Sequence, residues 1–227
     1  ALLFLSGLCA LIYQVVWLRE LRLVFGASTP ASAAVLAVFM GGLGAGSLVL
    51  SKRADRVKRP LTYYGNLELI IGALAAISTF LLEFSRAAYI TLGGSTSLGT
   101  VLGTVIRLLL AALVLLPPTM AMGGTLPAAV RAATSSEGTE RRGAALLYGV
   151  NTRGAVTGAT LSTFLLLELL GTRLTLWVAC LVNLIVGLVA RLVDSAHAKA
   201  DRYAERRREA RAGTDDEGGE KAVAGVD

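Results

Sequence analysis

Histidine and cysteine are almost missing from this chain: one His and two Cys in 227 residues. His197 lies in a polar C-terminal stretch without an obvious partner. Cys9 and Cys180 each sit inside an apolar run, with no second thiol or imidazole at ligand spacing. That excludes a disulfide framework and a zinc site, and no other metal or cofactor is expected. The many serines and threonines have no histidine near them, so no nucleophile–base constellation is formed and no catalytic residue is assigned. Charge is scarce too, at 17% Asp, Glu, Lys and Arg, too little to clothe a soluble globule of this size. The chain does not read as an enzyme.

What is abundant is apolar and gathered into blocks. Hydrophobic residues make up 54% of the chain and the mean hydropathy is +0.64. A bilayer core needs roughly 20 mostly apolar residues per helical span. Six stretches approach that length: Ala1 to about Leu18, Pro30 to Leu50, Leu61 to Leu82, Val101 to Met122, Ala144 to Leu167, and Leu174 to Val193. The first is read as a span and not as a signal peptide, because Tyr13, Gln14 and Trp17 occupy its second half and no small-x-small cleavage site follows. Long runs with Gly and Ala throughout fit helices better than barrel strands. The predicted fold class is all-α integral membrane, a six-transmembrane-helix bundle over residues 1–193.

Basic residues set the expected orientation. Lys52, Arg53, Arg56, Lys58 and Arg59 lie between the second and third spans, Arg131, Arg141 and Arg142 between the fourth and fifth, and seven Lys or Arg follow the sixth. The opposite side holds Arg19, Arg22, Arg86 and Arg173. Both termini are therefore expected in the cytoplasm, the membrane being a bacterial inner membrane. Residues 194–212, rich in Ala, Glu and Arg, are expected to extend the last helix, and the acidic, Gly-rich residues 213–227 to be disordered. The tail carries seven basic and nine acidic residues, so it is no nucleic-acid arm.

Small residues concentrate in the second and fifth spans, each with a four-residue glycine spacing, Gly42/Gly46 and Gly154/Gly158. Such spacing lets helix backbones approach closely. The two spans are equivalent positions in a 3+3 inverted repeat, the plan of one half of a major facilitator transporter. Polar groups inside the spans are the candidate substrate or partner residues: Tyr13, Gln14, Trp17, Glu68, Arg107, Asn151 and Arg153, with Asn183 as a further amide. An ionised group in hydrocarbon costs roughly 2.5–3.5 kcal/mol on insertion scales unless paired or hydrated. Glu68 suits an amine and Arg107 an anion; each equally suits a structural lock. Tyr13 and Trp17, four apart, share a helix face and suit either a cation site with Gln14 or, for Trp17, an interfacial aromatic belt. Arg153, about nine residues and roughly 13 Å into the fifth span at 1.5 Å per residue, has Glu68 as its in-chain candidate partner. Pro117-Pro118 is expected to disturb the fourth helix.

Several ordered motifs resemble the bacterial fused major-facilitator/spermidine synthases. They are Ser6-Gly7-Leu8-Cys9-Ala10-Leu11-Ile12-Tyr13-Gln14-Val15-Val16-Trp17-Leu18-Arg19, Phe39-Met40-Gly41-Gly42-Leu43-Gly44-Ala45-Gly46-Ser47, Ala54-Asp55-Arg56, Arg59-Pro60-Leu61, Leu67-Glu68-Leu69, Pro117-Pro118-Thr119-Met120-Ala121-Met122-Gly123-Gly124-Thr125-Leu126-Pro127 and Leu147-Tyr148-Gly149-Val150-Asn151-Thr152. The likeness runs from about residue 2 to 193. It implies a polyamine-like substrate, and makes Asp55, Arg56 and Arg59 similar to the conformational loop motif of major facilitator proteins. Ser51 and Lys58 stand where that motif usually has glycines, and Arg153 where the family pattern is apolar. The family's soluble aminopropyltransferase-like domain has no counterpart after Val193, where no glycine-rich strand-turn-helix signature occurs.

The expected function is a half-transporter-like protein that binds or moves a small amine, working as a homodimer or with other membrane subunits. The alternatives are a non-catalytic accessory or scaffold subunit, or a membrane anchor for a separately encoded aminopropyltransferase. Cysteines placed at Ser51 and at Ser95 are expected to label from opposite sides of the membrane; labelling from the same side overturns the six-span topology.

Overall fold

The computed structural model describes residues 1–26, 28–133 and 140–223. Its helices are α1 (Leu2–Phe25), α2 (Thr29–Ala54), α3 (Pro60–Thr91), α4 (Gly94–Ala133), α5 (Glu140–Leu161), a π-helical turn (Ser162–Leu166), the short α6 (Leu167–Leu169) and α7 (Gly171–Val223). The ends follow local chemistry. Ser28 caps α2 by accepting from the Ala31 amide at 3.4 Å. Pro60 opens α3, where its missing N–H costs nothing. The turns before α2 and α7 pass through Gly26 and Gly171, at φ of 91° and 69°.

Among the described residues, five helices are long and apolar enough to cross a bilayer: Leu2–Phe25, Thr29–Ala54, Pro60–Thr91, Val101–Ala133 and Gly171–Ala200. The chain is thus an all-helical, multi-pass membrane-type bundle. A further helix stands at the expected fifth span, less apolar than these five. Residues 144–161 do form a helix, but Asn151, Thr152, Arg153, Thr157 and Thr160 dilute its apolar content. Large apolar side chains such as Leu48, Phe80, Phe84, Leu109 and Leu181 stand exposed on the outside, which a bilayer and not water would solvate.

Two other expectations meet a different geometry. Pro117, Pro118 and Pro127 lie inside α4 without a dihedral break; the non-helical residue there is Gly99, at φ 67°. α7 continues as helix to Val223, past the Gly213 at which the helical extension is expected to end, while the end of the expected disordered tail, residues 224–227, lies outside the described residues.

The helices pack in pairs: α1 on α5, α2 on α4, α3 on α7, with α3 also against α4 and α1 against α7. Glycines make the first two contacts possible. A Cβ on Gly46 would stand 2.0 Å from the Met120 carbonyl oxygen, and one on Gly158 2.2 Å from that of Leu8. Gly154 meets the Phe4 carbonyl, whereas Gly42 faces the Thr119 side chain with a Leu116 methyl in ordinary contact. α3 and α7 touch at Gly65 and Gly187, each facing the other's carbonyl oxygen. Hydrocarbon offers no hydrophobic drive between helices, so this close backbone contact supplies much of their cohesion.

Gly46→Val is expected to destabilise the bundle by about 1–3 kcal/mol or more through overpacking. Gly44→Val on the same helix, with nothing within 4 Å, is the matched control. Thermal unfolding in detergent checks this; equal melting of the two variants overturns the packing assignment.

A buried carboxyl beside a cavity

Glu68 projects from α3 into the middle of the bundle and is 0% exposed. Its Oε2 accepts from Asn183 Nδ2 of α7 at 2.7 Å, and the same amide donates to the Glu68 backbone carbonyl at 3.2 Å. Asn183 is thereby locked across α3 and α7. The Ser6 and Tyr64 hydroxyls lie within interaction range of the carboxyl, yet Glu68 Oε1 and the Tyr64 hydroxyl have no partner at hydrogen-bonding geometry. Among the described residues no Lys or Arg pairs with Glu68; the ion pair found there is Arg59 with Asp194.

The carboxyl lines a cavity of about 300 Å³ to which α1, α2, α3, α4, α5 and α7 all contribute. Ser6, Ser47, Thr125, Tyr148, Asn151 and Asn183 provide its polar lining, and Leu11, Phe39, Leu43 and Met122 its apolar walls. A buried carboxylate without a charged partner is costly.

The other candidate residues are distributed elsewhere. Tyr13 and Trp17 share a face, as their spacing implies, with ring centroids 5.2 Å apart and stacked. Both are fully buried, and Trp17 Nε1 donates to Ser78 Oγ at 2.8 Å. Trp17 is therefore core and not part of an interfacial belt. Neither ring nor Gln14 lines the Glu68 cavity. Arg107 Nε donates to the Tyr89 hydroxyl at 2.9 Å, and its guanidinium lies 5.3 Å from that ring's centroid, a lock between α4 and α3.

Asn151 lines the cavity from α5, but Arg153 does not meet Glu68. It is exposed, about 100° round the helix from buried Gly154. Because Gly154 packs on Phe4, Arg153 stands level with the first turn of α1, nearer one end of the bundle than its place in the span suggested. In the loop motif, Asp55 and Arg56 are exposed at the end of α2. Arg59 instead pairs with Asp194 of α7 at 2.7 Å, and the Thr62 hydroxyl bonds the same carboxylate. Asp194 and Tyr64 escaped the sequence reading. Asp194 sits beyond the last apolar run, where a single acid carries no signal, and Tyr64 stands four residues before Glu68, a spacing that places both on one face.

Comparison with known protein families, curated proteins and solved structures finds no match.

Asn183→Leu is expected to destabilise the bundle by about 1–3 kcal/mol, because it strands a buried acceptor. Glu68→Gln keeps an oxygen facing Asn183 and is expected to melt close to wild type. The reverse order of stability overturns the assigned hydrogen bond.

Proposed function

We propose that this chain is a half-transporter-like membrane protein that binds, and with a partner half moves, a small organic cation. The observation that carries this reading is Glu68: fully buried, one oxygen unpartnered, lining a cavity of about 300 Å³, with no basic residue paired to it among the described residues. An ammonium entering that cavity would meet a carboxylate and a ring of hydroxyl and amide oxygens. The resemblance to fused major-facilitator/spermidine synthases narrows the cation to a polyamine-like amine.

The six-helix, 3+3 inverted-repeat arrangement belongs to the same proposal, and the packing supports it. Gly46 against Met120 and Gly158 against Leu8 are alike in their geometry. The same register offset separates Gly46 from Gly158, Leu8 from Met120, Gly42 from Gly154 and Phe4 from Leu116. Under such a repeat the α1–α5 and α2–α4 contacts are mates, and the α3–α7 contact is its own. On this reading α5 crosses the membrane despite its polar residues, both termini are cytoplasmic, and a second six-helix half comes from a second copy or another subunit.

An accessory or scaffold subunit is the second reading, favoured by α5. Its outward face carries Thr152, Arg153 and Thr160, all exposed, a composition better suited to a protein partner than to lipid. An anchor for a separate aminopropyltransferase is a variant of it, with the extension of α7 as the place of attachment.

Proteoliposomes holding the full chain are expected to bind and accumulate radiolabelled spermidine, with Glu68→Gln reducing this by about tenfold or more, as loss of a charge-assisted contact implies. Equal accumulation in the variant overturns the site. A particle that always co-purifies with other subunits and takes up no amine favours the scaffold.

A further inference from the structure

A second cavity, of about 240 Å³, lies between α1, α3 and α7 at the end of the bundle opposite Asp194. Its floor is apolar, with Val16, Leu82 and Leu176. Four charges surround it: Glu20 from α1, Glu83 and Arg86 from α3, and Arg173 from α7. Glu83 and Arg86 are three residues apart on one helix face, a spacing at which opposite charges commonly close on each other. Yet among the described residues none of the four forms an ion pair. Thr79, which also lines the cavity, has a buried hydroxyl with no hydrogen-bond partner. Glu83, Arg86 and Arg173 are exposed at the rim of this space and Glu20 is half-buried in it.

Arg173 stands in the first turn of α7, where unsatisfied N–H groups and the helix dipole add positive potential to its own charge. That side of the groove is a seat for an anion, and guanidinium forks suit phosphate or carboxylate oxygens. Glu20 is half-buried beside the apolar floor and Glu83 is exposed at its rim, two carboxylates of the kind that hold an ammonium. The net charge of the four is zero, so a ligand of one sign would leave two like-signed groups unmatched.

We propose that this groove binds a zwitterionic head group, an ammonium joined to a phosphate by a short aliphatic link, with its apolar portion on the Val16–Leu176 floor. The volume suits a head group and a few methylenes, not a whole lipid. The source is a zwitterionic phospholipid at the membrane surface or a free zwitterion of the same chemistry. The site is separate from the Glu68 cavity, and nothing in it depends on amine transport.

The test uses the full chain, purified in detergent and incubated with phosphatidylethanolamine or phosphatidylglycerol, with retained lipid counted by native mass spectrometry. Wild type is expected to retain phosphatidylethanolamine about tenfold more tightly than phosphatidylglycerol, as one extra charge-assisted contact implies. Arg173→Gln should weaken both lipids, whereas Glu20→Lys should weaken phosphatidylethanolamine and strengthen phosphatidylglycerol. That reversal of preference is one a misfolded variant would not show. Glu68→Gln should change neither. Displacement of bound phosphatidylethanolamine by soluble phosphoethanolamine identifies a free zwitterion as sufficient; persistence of the lipid identifies the membrane as the source. Equal retention of the two lipids by wild type, or unchanged preference in Glu20→Lys, overturns the proposal.

Discussion

Everything in this bundle depends on helix backbones touching. In water, burying leucine is reason enough for two helices to meet; in hydrocarbon it is not, because lipid tails are as apolar as the side chains they replace. Contact then rests on dispersion, which falls away steeply with any gap, and so on how close two backbones can come. Gly46 against the Met120 carbonyl and Gly158 against the Leu8 carbonyl set that distance for two pairs, and Gly65 with Gly187 for a third. These contacts leave no room for a Cβ. They fix how the helices lie, and with that the shape of every cavity between them.

The central site is one consequence. With α3 held against α7, Glu68 and Asn183 are pressed into one another's reach and out of contact with solvent. A single amide satisfies one carboxyl oxygen and the adjacent backbone carbonyl, while the second carboxyl oxygen is left facing a cavity. A polar network in low dielectric is favourable when complete and costly when it is not. At Glu68 the incompleteness falls where six helical walls leave space.

Charge at the two ends is organised differently. At one end Arg59, Thr62 and Asp194 tie α3 to α7 with a closed ion pair. At the other, Glu20, Glu83, Arg86 and Arg173 surround a groove without closing. Aromatic contacts run toward that second end: Tyr13 on Trp17, Trp17 on Ser78, and Phe25 edge-on to Tyr89, which in turn holds Arg107.

The helices themselves were legible from the chain alone, because an apolar run of bilayer length is a one-dimensional signal and a helix satisfies its own backbone. The glycine spacings pointed to close packing for the same reason, since a four-residue period places both glycines on one face whatever the partner. Polar residues inside spans were visible as exceptions, Glu68, Arg107 and Arg153 among them. What only the tertiary structure decided is which exception faces what. Trp17 went to the core and not to a membrane edge, Arg107 to Tyr89, Arg153 to the outside, and Asp194 to an arginine far earlier in the chain. Those outcomes depend on the rotation of each helix about its own axis. A polar residue in an apolar helix carries little information about its partner until two backbones have met and their faces are fixed.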